Sequence, residues 1–284
     1  MTAEELKILL NEARIEPWKG RGQNFLLDEK VIDQMVAAAG IERGSAAVEI
    51  GPGAGVLTGR LLERGARVAA VEIDPRLCSF LRRRFDKQDL QVLEGDALAF
   101  TNAALAEAAG GSRSGYRVVA NIPYAITSAL IQKFLLEAPQ PASFTLMVQA
   151  EVADRVLAAP GEMSSLAVLV QTLAQAALVV RVPRASFYPA PQVDSAVIHI
   201  KPFSSAELSA RFGAAWSAER HFRVTRAAFQ EPRKQIKNTL RQLGLSDILL
   251  NEAIISASLK PESRPQELSV SDWARLSIEL AKRS

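Results

Sequence analysis

The chain has 284 residues, 34 Lys or Arg against 31 Asp or Glu for a net charge of +3, and 48% of it is hydrophobic. That length suits one large domain plus a smaller one, and no apolar run approaches the roughly 18 residues of a transmembrane helix. The single Cys78 excludes an internal disulfide and, with only two histidines, gives no basis for a Cys/His zinc site, so no metal and a reducing cytoplasm are expected.

Charge is unevenly spread. Residues 203–284 carry 13 basic against 9 acidic side chains, net +4, whereas residues 1–202 carry 21 against 22, net −1. A basic tail on a nearly neutral body points to a polyanionic partner.

The N-terminal MTAEELKILLNEARIEP is acidic and amphipathic, without the layout of a secretory signal. A loop containing Lys19 and Arg21 follows, and KVIDQMVAAAG then predicts a helix that stops at Gly40. Next come short apolar runs, AAVEIG, RVAAVEID, LQVLEGD, RVVANIP, FTLMVQ and later SAVIHI. GVLTGRLLERG, PRLCSFLRRRF, TNAALAEAA and TSALIQKFLLEA lie between them at helical spacing. This alternation predicts an α/β domain over residues 1–202 with a mostly parallel sheet. KPFSSAEL reads as a linker, and residues 203–284 as a small all-helical domain.

The first of these strands ends in EIGPGAGVLT, where Gly51, Gly53 and Gly55 allow a sharp strand-to-helix turn and close approach to a ligand. The spacing is G-x-G-x-G, which misses the G-x-G-x-x-G fingerprint of a nicotinamide dinucleotide. Glu72 closes the next strand, about twenty residues on, where a carboxylate accepts from ribose hydroxyls. Asp96 closes the third, within reach of an adenine amino group. Together these favour S-adenosylmethionine. Asp74, followed by Pro75, reads instead as a helix N-cap.

Asn121 ends the fourth strand in the segment NIPYAITSAL. Its carboxamide oxygen accepts hydrogen bonds, Pro123 stiffens the backbone, and Tyr124 offers a flat ring. These groups suit a planar base bearing an exocyclic amine. Such an amine is a poor nucleophile because its lone pair is delocalised. Acceptors that grip its N–H bonds favour a tetrahedral nitrogen and aim the lone pair at a sulfonium methyl, which is positioning and electrostatics rather than strong-base chemistry.

In the tail, Arg233, Lys237 and Arg241 recur four residues apart within EPRKQIKNTLRQL. That spacing predicts one basic helix face, with Pro232 in the first turn and Ile236, Leu240 and Leu243 facing inward. This stripe, with Lys19 and Arg21, forms the candidate set for holding a polyanion. LRRRF reads as the exposed face of a helix covering the sheet.

GQNFLLDEKVID, VEIGPGAGVLTGRLL, VAAVEIDP, LEGDAL, ANIPYAITSALI, FTLMVQAEVADRVLA and FYPAPQVDSAVI occur in that order. They resemble the ribosomal RNA adenine dimethyltransferases, most closely the small-subunit branch. The resemblance runs from about Gly22 to Ile200 and recurs in AAFQEPRKQIKNTL and RPQELSV. It implies a Rossmann-like S-adenosylmethionine-dependent methyltransferase domain, and RNA as the polyanion held by Lys19, Arg21, Arg233, Lys237 and Arg241. Asn24 and Leu26 would close over the cofactor, Gly51 would back it, and Glu72 and Asp96 would bind its ribose and adenine. Asn121 would adjoin the methyl-transfer centre, and Phe187, in a Pro-rich loop, would stack on the flipped base opposite Tyr124. The expected activity is dimethylation of two neighbouring adenines in small-subunit ribosomal RNA, by a cytoplasmic monomer acting on a pre-30S particle. Methylation of large-subunit RNA of the macrolide-resistance type, or a non-catalytic assembly or transcription factor, stays open. Ile122, Ala150, Gln192 and Pro232 depart from the residues usual in the small-subunit branch.

Overall fold

The computed structural model describes residues 2–12, 24–111 and 115–283. It divides into two compact units, residues 1–153 with 176–202 and residues 154–175 with 203–284. The segment 154–175, expected in the first domain, therefore belongs to the helical unit. Met163, Ala167 and Val168 are buried there in a core shared with Val224, Ile254 and Trp273.

The first unit is built on a seven-stranded sheet. Its strands are β2 (Ala46–Ile50), β3 (Arg67–Glu72), β4 (Leu90–Glu94), β5 (Tyr116–Asn121), β6 (Ser143–Gln149), β7 (Ala174–Val182) and β9 (Ser195–Pro202). Two short strands, β1 (Phe25–Leu26) and β8 (Phe187–Tyr188), pair separately and antiparallel. Its helices are α1 (Ala3–Glu12), α2 (Glu29–Ala38), α3 (Val56–Glu63), α4 (Pro75–Arg84), α5 (Asn102–Ala108) and α6 (Thr127–Leu136). Spatial order in the sheet is β4-β3-β2-β5-β6-β9-β7. Pairing is parallel from β4 to β6 and antiparallel between β6 and β9.

Burial follows position in the sheet. All five residues of central β2 are buried, while β4 at one edge is largely accessible. Helix α2 starts at Asp28, whose carboxylate accepts from the Lys30 and Val31 amides, and it turns Val31, Ile32, Met35 and Val36 inward. Asp74 caps α4 by accepting from the Arg76 amide, with Pro75 at the first helical position. The second start was legible as Asp74 followed by Pro75; the first was expected only from Lys30 on, without its Asp28 cap.

Because β3 lies on one side of β2 and β5 on the other, successive connections leave the middle of the sheet in opposite directions. Beyond the carboxyl ends of β2 and β5 this leaves the crevice in which open α/β sheets bind ligands.

After α7 (Ala150–Val156), the helical unit contains α8 (Ser165–Leu173), α9 (Ser205–Phe212), α10 (Ala218–Phe229), α11 (Ile236–Thr239), α12 (Asp247–Ser256) and α13 (Val270–Ala281). Its core is centred on the fully buried Trp273, whose ring lies 5.7 Å from that of Phe229. Capping boxes fix the starts of α9, with Ser204 and Glu207, and α13, with Ser269 and Asp272. No helix among the described residues is long and apolar enough to cross a membrane.

Candidate functional site

The glycine turn after β2 and the Asn-Ile-Pro-Tyr segment after β5 meet at the switch point. A Cβ on Gly51 would stand 3.5 Å from the Pro123 ring and 3.6 Å from the Asn121 carbonyl oxygen. Gly53 and Gly55 adopt φ of +56° and +79°, and both are crowded: a Cβ would fall 2.9 Å from the Phe25 ring and 2.6 Å from that of Phe85, respectively. Only glycine meets both the left-handed backbone and the close approach. Arg84 ties this turn to α4, donating to the Ala54 carbonyl at 2.7 Å. Arg82 of the same LRRRF run, though exposed, donates to the Val92 carbonyl at 3.1 Å and stands 3.9 Å from Glu94, so that run is not simply a solvated face.

Glu72, 6% exposed, ends β3 beside that turn. Its carboxylate accepts from the backbone amides of Gly53 (3.3 Å), Ile73 (2.9 Å) and Asp74 (3.0 Å). Burial raises its pKa, and these amide hydrogen bonds oppose the rise. Oε1 takes the Ile73 and Asp74 amides and Oε2 only that of Gly53, so Oε2 keeps a lone pair with which to accept from a ribose hydroxyl. Asp96, after β4, is exposed and accepts from the Leu98 amide at 2.9 Å, a local turn contact.

Sequence reasoning passed over Glu49, in the middle of fully buried β2. It is 1% exposed, and burial, opposed by a 2.6 Å hydrogen bond from the Thr58 hydroxyl and reinforced by nearby Glu72, pushes its pKa up to about 8. A carboxylate inside an apolar strand was the available signal, since such groups are seldom fully buried unless paired.

Asn121, partly buried at the end of β5, donates through Nδ2 to the Asn24 carbonyl at 3.1 Å. That bond orients the carboxamide, and no donor among the described residues engages Oδ1. The Pro123 carbonyl accepts from the Ile126 amide at 3.1 Å, which closes a short 3-10 turn over Tyr124–Ile126. Tyr124 is held across the sheet by a 3.0 Å hydrogen bond between its hydroxyl and that of Ser195 on β9. Ser195 is 1% exposed and was also missed, although it lies within the FYPAPQVDSAVI segment.

Phe187 departs from expectation. It is 5% exposed, on β8 rather than in an open loop, paired with Leu26 of β1 and packed in the apolar cluster with Met147 and Val197. Its ring is a hydrophobic plug in this structure, because strand pairing to a segment far away in sequence turns it inward. Leu26 is buried in the same cluster.

The basic stripe also differs from expectation. Arg233 lies in a turn, and α11 spans only Ile236–Thr239, so the three cations share no helix face. The Ile236 and Lys237 amides donate to the Ser263 and Pro261 carbonyls, not back into a preceding helical turn that Pro232 would have begun. Ile236 and Leu240 are buried, and Leu243 packs against that core. Arg241 makes two 2.9 Å hydrogen bonds to Asp247, and Lys237 stands 3.8 Å from Glu262. Lys19 and Arg21 lie outside the described residues.

The model of a family described as ribosomal RNA adenine dimethylase matches residues 19–282. The chain is 38% identical over 280 residues to a ribosomal RNA small subunit methyltransferase A of Moorella thermoacetica, covering 95% of this chain and 94% of that protein. To a protein of the same name from Dehalococcoides mccartyi it is 33% identical over 279 residues, covering 98% and 93%. Among solved structures, it resembles a dimethyladenosine transferase from Plasmodium falciparum, with a TM-score of 0.72, 26% identity and coverage of 91% and 98%. It also resembles the 23S rRNA methyltransferase ErmE, with a TM-score of 0.68, 26% identity and coverage of 91% and 100%.

Proposed function

Since the chain belongs to the ribosomal RNA adenine dimethylase family, we propose that it dimethylates the N6 amino groups of two adjacent adenines in small-subunit ribosomal RNA, with S-adenosylmethionine as donor. The observation that carries this reading is the Asn121 carboxamide, fixed by the Asn24 carbonyl beside the glycine turn with Oδ1 left as an acceptor.

The donor set beside the glycine turn suits S-adenosylmethionine. Glu72 is a carboxylate preorganised by three backbone amides, with an Oε2 lone pair left to accept from a ribose hydroxyl. Gly51 and Gly53 keep the turn free of side chains, and Asp96 offers an acceptor at the end of β4. The cofactor supplies an electrophilic methyl group. Asn121 Oδ1 would take an N–H of the target amine, favouring a tetrahedral nitrogen whose lone pair is no longer shared with the ring. Pro123 holds the segment stiff, and Ser195 fixes the Tyr124 phenol so that its ring offers one face to a flipped base. With Phe187 in the apolar cluster, Tyr124 is the aromatic contact supported by the geometry. No strong base is required, because the groups named act by position and by accepting hydrogen bonds.

Relatives named for the small subunit, at 33–38% identity over nearly the whole chain, favour that RNA over the large-subunit alternative. The intact Asn121–Tyr124 segment favours an enzyme over a non-catalytic RNA-binding factor. A cytoplasmic monomer acting on ribosomal RNA within a pre-30S particle completes the proposal, with exposed Arg233 as its first RNA contact.

Asn121→Ala should lower the single-turnover methylation rate by about 10²-fold or more, the scale on which removing one preorganised transition-state hydrogen bond acts. RNA affinity should change little, since the acceptor works on the reacting amine. Equal losses in rate and affinity would assign Asn121 to RNA binding or to the fold instead.

A further inference from the structure

A second cavity, of about 410 Å³, opens within the helical unit between the C-terminal half of α10 and the turn Leu240–Leu243. Arg223, Arg226, Ala227, Gln230, Gln242 and Leu243 line it, with no carboxylate among them. Its walls are held in place. Arg226 Nε donates to the Phe222 carbonyl at 3.0 Å, and Gln242 Nε2 donates to the Ala227 and Thr239 carbonyls at 2.9 and 2.8 Å. Gln242 thereby ties the turn to α10.

Many cations of the helical unit are neutralised by acids. Lys234, Lys237, Arg241, Arg275, Lys282 and Arg283 each form an ion pair with a nearby carboxylate. Neither Arg223 nor Arg226 forms one with any described residue. Arg220, Arg233, Lys260 and Arg264 share that lack, but Arg223 and Arg226 alone among them line one cavity together. Two guanidinium groups three residues apart on one helix lie on the same side of it, and they face amide side chains rather than acids. Guanidinium groups match phosphate oxygens through paired N–H donors, and Gln side chains can bond sugar hydroxyls. The volume falls in the range of sites that take a small ligand or one unit of a polymer.

We infer that this groove binds the sugar–phosphate backbone of the substrate RNA, and that it supplies more of the helical unit's RNA contact than the ion-paired Lys237 and Arg241. The inference rests on the RNA methyl-transfer reading above. A competing explanation is purely structural: Arg226 lies in the last turn of α10, where a cation also stabilises the helix dipole.

The test compares wild type, R223Q/R226Q, the charge-preserving R223K/R226K and the charge-matched R275Q/K282Q. Binding to unmethylated small-subunit particles is measured across a salt series, alongside S-adenosylmethionine affinity and thermal unfolding. R223Q/R226Q should bind particles about tenfold or more weakly, and its slope of log affinity against log salt should be shallower by roughly 1–2, since each phosphate contact contributes about 0.7–0.9. Its cofactor affinity should equal that of wild type. R223K/R226K should keep most of the slope, and R275Q/K282Q should match wild type. R223Q alone leaves the Arg226–Phe222 bond intact and should lose about half the slope change, which covers the case of a double variant that fails to fold. Unchanged affinity and slope in a folded R223Q/R226Q, with or without lower thermal stability, would overturn the groove. So would an equal loss in R275Q/K282Q, which would make the effect one of net charge. Wild-type protein that neither binds nor methylates particles would instead remove the methyl-transfer reading, a different failure from a groove variant that binds as wild type does.

Discussion

The polar groups at the glycine turn of the α/β unit and those on the surface of the helical unit are held in different ways. In the α/β unit, Glu49, Glu72 and Asn121 are buried or partly buried and bonded to a hydroxyl or to backbone groups, so their positions are set by the strands that carry them. In the helical unit, charged groups such as Arg241 and Asp247 stand on the surface, side chains 58% and 61% exposed, and pair with one another. Exposed pairs of that kind contribute less than about 1 kcal/mol each, whereas a buried carboxylate is costly to place and to move. Chemistry that depends on distances of a few ångströms needs such a rigid frame, which an exposed surface pair does not supply.

Two substitutions in the α/β unit sharpen that contrast, and the larger effect belongs to Glu49. Its folded-state pKa, about 8, lies above the ordinary 4.5 because burial disfavours the charged form. The unfolded chain therefore releases this proton first as pH rises. The stability Glu49 contributes is complete below about 4.5, declines between there and about 8 by up to roughly 1.4 kcal/mol per pH unit, and is lost above that. Glu49→Gln, an uncharged near-isostere, should flatten this part of the stability-versus-pH curve in chemical denaturation and should be the more stable protein at pH 8. Parallel curves for the two proteins would mean that Glu49 is ionised in the fold.

The smaller effect concerns Glu72. Glu72→Ala should weaken S-adenosylmethionine binding by ~1–3 kcal/mol, the cost of leaving buried ribose hydroxyls without their acceptor. Titration calorimetry on a variant shown to be folded reads this directly. An unchanged affinity would take Glu72 out of the cofactor site and leave it a turn-forming residue tied to Gly53 and Asp74.

How much of this could be read from the sequence depended on how local the cause was. Glycine turns and strand-ending carboxylates announce themselves, because a parallel α/β sheet puts ligands at the carboxyl ends of its strands wherever the order reverses. The places of Glu72, Asn121 and Tyr124 at or just past strand ends were therefore legible, but two of the partners were not: the Asn24 carbonyl reaches Asn121, and the Ser195 hydroxyl reaches Tyr124, across the fold. Phe187 misled for the same reason, since nothing in FYPAP reveals pairing with Leu26. The run from Ser165 to Val182 is almost continuously apolar, so periodicity alone could not separate helix α8 from strand β7. In the tail, four-residue spacing suggested a helix face, but the chain enters α11 by a turn whose amides bond to residues 261–263.

The central claim is that this chain places methyl groups on adenine N6 of small-subunit ribosomal RNA. Mass mapping of methylated adenines in ribosomal RNA from cells with and without the protein tests it most directly. Two adjacent adenines of the small-subunit RNA should each carry two methyl groups on N6 when the protein is present and none when it is absent, and purified protein with S-adenosylmethionine should restore them on particles from the deficient cells. Methyl groups that depend on the protein but fall in large-subunit RNA, or an identical map with and without it, would contradict the account.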